Sequence, residues 1–126
     1  MNCRKISAAC FLVTLLVVAV SAMAADKPST TVKGYVIDSA CTFTKSLKKP
    51  VSAECAVACA KSGSPLVIQT AGGTVYLPID DAQPAKSQND RLMPFAGQMV
   101  SVTGKVYEKG GARAIVIEKI EAAASK

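Results

Sequence analysis

From Gln98 onward the chain reads as two strands turned tightly on themselves. Val100, Val102 and Val106 share one face of Gln98–Glu108, and Ser101, Thr103 and Lys105 share the other. Lys109-Gly110-Gly111 then turns the chain into Arg113–Ile120, RAIVIEKI. Leu66–Thr70 and Thr74–Ile79 form a second β-rich pair, joined by Ala71-Gly72-Gly73. A fifth strand fits Thr31–Asp38, where Val32 and Val36 face one way and Lys33, Tyr35 and Ile37 the other. Gly104 falls on the inner face of its strand, where a barrel strand bends or meets another backbone.

One short helix fits between the first two strands. It spans Ala53–Lys61, with Ser52 as N-cap, Glu54 in the first turn, and Gly63 and Pro65 as its stop. So short a helix is marginal alone and needs packing or a covalent tie. Residues 39–50 read as irregular, polar and basic, and residues 80–90 as a polar loop. Pro94 limits Arg91–Ala96 to one helical turn. The expected fold is mainly β: a small, OB-like, five-stranded barrel with a short helix between its first two strands. An OB barrel usually carries its helix between the third and fourth strands, so an α+β sandwich is the alternative.

The N-terminus is unlike the rest. Arg4 and Lys5 precede an apolar run, Ala8–Val20, interrupted only by Thr14, and Ala22-Met23-Ala24 supplies small residues at −3 and −1. This is the order of a secretory signal peptide, cleaved between Ala24 and Ala25. An uncleaved anchor is the alternative, since Ile6–Ala25 has the length to span a bilayer. Residues 25–30 then form a flexible N-terminal segment, 31–121 the domain, and 122–126 a frayed tail. The expected location is the periplasm or the extracellular space, with no membrane-spanning segment after cleavage.

Cleavage changes the totals. The full chain has 15 Lys+Arg against 9 Asp+Glu, a net charge of +6, and five cysteines. Loss of Arg4, Lys5, Cys3 and Cys10 leaves 13 basic residues against 9 acidic ones, and Cys41, Cys55 and Cys59. The chain has no histidine, which excludes a Ser-His-Asp triad, a Cys-His dyad and imidazole metal ligation. Its length excludes a TIM barrel or a two-domain dinucleotide enzyme.

Gly34-Tyr35-Val36-Ile37-Asp38-Ser39-Ala40-Cys41, Glu54-Cys55-Ala56-Val57-Ala58-Cys59, Gly63-Ser64-Pro65 and the run Phe95–Val106 together resemble a group of small secreted bacterial domains of unknown function. They are also similar to bacterial periplasmic OB-fold proteins. The resemblance covers roughly residues 31–121 and implies a fold and a location. Relatives of this kind carry a histidine soon after the first cysteine, whereas Thr42–Lys45 contains none.

An oxidising compartment and an odd number of thiols make the cysteines the centre of interest. Cys55 and Cys59 are four apart and share a helix face, while Cys41 follows the first strand. One disulfide from Cys41 to either helical cysteine is the first expectation, and a Cys55–Cys59 bridge would strain a regular helix. The leftover thiol is then inert, or pairs with another chain or a small thiol. In the alternative reading all three thiolates hold Cu(I), or zinc with Asp38 or Glu54 as fourth ligand. A thiol-redox role is third: Cys55 lies in the first helical turn, yet there is no C-x-x-C pair.

The remaining features point to ordinary surfaces. Lys45, Lys48 and Lys49 with Tyr35, Tyr76 and Tyr107 would suit single-stranded nucleic acid only on paper, because the chain is exported and modestly basic. The same charge is compatible with anionic lipid or polysaccharide. Asp80, Asp81 and Asp90 lack an EF-hand pattern and read as loop acids. The expectation is a non-enzymatic binding or envelope-associated module of unknown ligand, needing no cofactor.

Overall fold

A computed structural model describes residues 26–47 and 52–124. The elements follow in the order β1 (Ser29–Asp38), α1 (Ser39–Thr44), α2 (Ala53–Lys61), β2 (Leu66–Gln69), β3 (Val75–Ile79), α3 (Asn89–Leu92), a 3-10 turn (Met93–Phe95), β4 (Met99–Lys109) and β5 (Ala112–Ala122). The strands close into a barrel in the order β1-β2-β3-β5-β4. The expected mainly-β, OB-like barrel is therefore the architecture.

Closure depends on β1 serving two neighbours. Its first part pairs with β4, from Ser29↔Lys105 to Tyr35↔Met99, and its last part with β2, from Tyr35↔Gln69 to Asp38↔Leu66. The β4–β5 hairpin runs antiparallel from Val100↔Ala122 to Lys109↔Ala112, and β3 closes the ring by running parallel to β5 at Leu77↔Ala114 to Ile79↔Val116. Gly34 and Gly104 make these close approaches possible. A Cβ on Gly34 would stand 2.6 Å from the Gln69 carbonyl oxygen, and one on Gly104 would run into the carbonyl of Val116. The β4–β5 register shifts at Thr103/Gly104, as a strand bending over a bulge does.

Alternation fills the interior. Val32 and Val36 of β1, Leu66 and Ile68 of β2, Val100 and Val102 of β4, and Ile115 and Ile117 of β5 pack together with Leu92. Ala56 and Ala60 put the small face of α2 against this core. Removing this apolar surface from water is the main stabilising contribution.

Asn89 ties three elements. Its Oδ1 accepts from the Leu66 backbone N–H at 2.9 Å, and its Nδ2 donates to the carbonyls of Ala60 (3.2 Å) and Ser64 (2.9 Å). Arg91 pins α3 to β5 by donating to the carbonyl oxygens of Ile117 and Glu118, at 2.6 and 3.1 Å. Asn89→Ala is expected to cost about 2 kcal/mol, because it removes the partner of the part-buried Leu66 N–H and the side-chain bonds to the Ala60 and Ser64 carbonyls. Chemical denaturation checks this, and an unchanged midpoint would count against it.

Several boundaries differ from the sequence reading. Two helices, not one, separate β1 from β2, because Asp38 caps a turn the sequence left irregular: its Oδ1 accepts from Cys41 N–H at 2.9 Å. The N-terminal segment is not free, since Ser29 and Thr30 already belong to β1 and Asp26 pairs with Lys105 at 2.7 Å. At the other end Ala122 is still in β5, and Ala123 N–H donates to Met99 O at 2.8 Å. The signal-peptide reading, Lys48, Lys49 and the last two residues lie outside the described residues.

Candidate functional site

The corner where β1 gives way to α1 is built by Asp38. This aspartate is 2% exposed and closes β1 by pairing with Leu66. Its carboxylate holds the Cys41 N–H, and its carbonyl accepts from Thr42 Oγ1 at 3.0 Å. A single residue thus ends the strand, starts the helix and places Cys41 in the first turn, buried at 8% exposure. Ser52 does the same for α2: its Oγ accepts from Cys55 N–H at 3.1 Å. Cys55 and Cys59, one turn apart and each half-buried, lie beside the Ala56–Ala60 face that packs on the core.

The three thiols and Asp38 act on one another. Hydrogen bonding to the Asp38 carboxylate, then burial and the aspartate's charge, push the Cys41 thiol up to about 11, and the charge of Cys55 adds to this. Burial pushes Cys59 up, reinforced by the charges of Asp38 and Cys55 and by hydrogen bonds to both. Asp38 thus acts on Cys41 and on Cys59, and Cys55 acts on each of them in turn. All three cysteines are unbridged in this structure.

Glu54 takes no part in that group. It stays at the exposed start of α2, where bonds to its own backbone N–H and to Ser52 hold its carboxyl below the usual carboxylate range. Among the described residues no three Cys, Asp or Glu side chains are grouped so as to hold a metal ion. The proposed zinc set with Glu54 is thus not assembled.

The raised Cys41 value has a consequence for the stability of the reduced protein. An unfolded thiol loses its proton near 9, whereas the folded one keeps it until about 11. Between those values the native state binds more protons than the unfolded chain, so stability falls as pH rises. The contribution is whole below pH 9 and gone once pH passes through about 11. In reduced protein, Cys41 is expected to alkylate slowest of the three thiols at pH 7.5, with a rate that climbs steeply above pH 9. Residue-resolved mass spectrometry of the alkylated chain checks this, and early modification of Cys41 at pH 7.5 would contradict it.

Other residues singled out in the sequence have structural roles. Asp80 accepts from Ala82 N–H (3.0 Å) and Lys86 N–H (3.1 Å), and these bonds hold its carboxyl below its ordinary value. Tyr76 packs against the core, and Tyr107 lies under Lys27 at 4.6 Å from the ring centre, so the tyrosines do not form one stacking platform. Sequence reasoning passed over Phe43 and Arg113, which border an outer-face groove. An aromatic residue inside the polar, basic segment 39–50 was the available signal. Among the described residues no helix is long and apolar enough to cross a membrane. No protein-family model, curated protein or solved structure matches the chain.

Proposed function

We propose that the protein is an exported, non-enzymatic binding module, associated with the cell envelope, whose barrel is stapled by a Cys41–Cys55 disulfide. The observation that carries this reading is the approach of Cys41 to Cys55 beside the buried Asp38. Cys55 is the α2 thiol whose charge reaches Cys41. Pairing it closes a loop worth about 3 kcal/mol in the chain-entropy model. Cys59 is then the leftover thiol, and the burial that favours its neutral form makes it inert.

The same environment argues against Cys41 or Cys59 as a nucleophile. A nucleophilic cysteine needs a lowered pKa, whereas Cys41 and Cys59 are both raised. Export rests on Arg4, Lys5, the Ala8–Val20 run and Ala22-Met23-Ala24. In that setting an oxidised protein disulfide supplies the oxidant. It exchanges into the site, takes up the two electrons and two protons of the Cys41 and Cys55 thiols, and leaves as a dithiol.

The intact mass of protein purified from the periplasm tests the reading. The expected product begins at Ala25, carries one alkylatable thiol without reductant and three with it. A chain retaining residues 1–24, or three free thiols before reduction, would overturn it.

A further inference from the structure

We propose that the outer face of the barrel across β2, β3 and β5 binds a linear, medium-chain carboxylate in the groove between Phe43 and Arg113. The groove encloses about 510 Å³, within the range of small-molecule sites. Its floor is Val67 of β2 with Val75 and Leu77 of β3, and Phe43 of α1 forms one lip. Phe43 is 69% exposed and Leu77 41%, so two large apolar side chains that would ordinarily be covered face the same open space. Three adjacent strands make the floor roughly 10 Å across, which suits a chain lying over it.

The polar groups are few and sit at the rim. Among the described residues Arg113 is the one charged side chain lining the groove. Its Nε donates to Glu108 at 2.7 Å, and Nη1 reaches Thr74 Oγ1 at a long 3.5 Å. The Arg113–Glu108 pair is exposed on both sides, with 41% and 61% side-chain accessibility, so it competes weakly with an incoming anion. A guanidinium beside an apolar floor recognises a carboxylate head with an apolar body behind it. Phe43 and Cys41 are two residues apart on α1 and so point away from each other, one into the groove and one into the thiol corner.

The inference rests on the binding-module reading, but the two fail separately, because thiol counts report the staple and ligand titration reports the groove. Dodecanoate, below its micelle concentration, is titrated into the full mature protein by calorimetry and by amide NMR, with dodecanol as the uncharged control. Shifts are expected at Val67, Thr74, Val75, Leu77 and Arg113. Arg113→Gln is expected to weaken dodecanoate at least about tenfold while dodecanol changes less than about twofold. Phe43→Ser weakens both ligands, and a circular dichroism spectrum like the parent's confirms that each variant is folded. Equal dodecanoate affinity in Arg113→Gln, shifts scattered away from the groove, or a response only to phosphatidylglycerol vesicles would overturn the proposal.

Discussion

Reduction of the proposed Cys41–Cys55 bridge is expected to lower the stability of the barrel by about 3 kcal/mol, and its melting temperature by roughly 12–24 °C. Cys55→Ser should melt like the reduced protein, and Cys59→Ser should keep most of the oxidised protein's advantage. The size of the effect follows from what holds the β1–β2 connection. Both helices in it are short, α1 with six residues and α2 with nine, and neither persists without tertiary support. α2 offers the core only Ala56 and Ala60 as fully buried side chains, so its apolar contribution is small. The proposed covalent tie across this connection would therefore carry an unusual share of the local stability. Thermal melts of parent and variants, with and without reductant, measure it directly. A melting temperature indifferent to reductant would remove the staple from the account.

Gly104→Ala is the other change with a large expected effect, a loss of about 3 kcal/mol. Overpacked side chains usually relax by shifting a rotamer. Here the obstruction is the Val116 carbonyl on the neighbouring strand, with the Ile115 side chain at 3.2 Å behind it. Relief requires β4 and β5 to separate at the point where their register already shifts. Gly72→Ala is the matched control. It sits in the β2–β3 turn, where the nearest atom to a new Cβ is Thr70 Oγ1 at 3.9 Å, and its effect is expected to stay within about 0.5 kcal/mol. Urea unfolding of the two variants decides the matter, and near-equal midpoints would contradict the close approach.

Much of the barrel was legible because β-structure announces itself by alternation. Val100 and Val102 marked the inner face of β4, Val32 and Val36 that of β1, and the two Gly-Gly turns placed both hairpins. The closing contact, β3 parallel to β5, had no local sign, since pairing between distant strands leaves no periodicity in either one. Helix α1 was missed because Thr42, Phe43 and Thr44 are poor helix formers, and only the cap supplied by Asp38 compensates. Asn89 looked like an ordinary loop residue. Its three bonds to Ala60, Ser64 and Leu66 exist only once the chain has folded back on itself.

The candidate site was half legible. The i, i+4 spacing put Cys55 and Cys59 on one helix face, and the position of Cys41 after β1 suggested its approach. Asp38 was read as a possible metal ligand. In the structure it stands at the corner between β1 and α1, where it raises two thiols and caps a helix. Glu54, read the same way, belongs to the start of α2. Spacing along a helix can identify which cysteines share a face, but not which carboxylate will join them from another element.

Peptide mapping of the purified protein, digested without reduction and paired with its metal content, tests the central claim most directly. The account predicts a linked peptide pair containing Cys41 and Cys55, an alkylated Cys59, and no stoichiometric metal. Three alkylated cysteines accompanied by one equivalent of copper or zinc would contradict it.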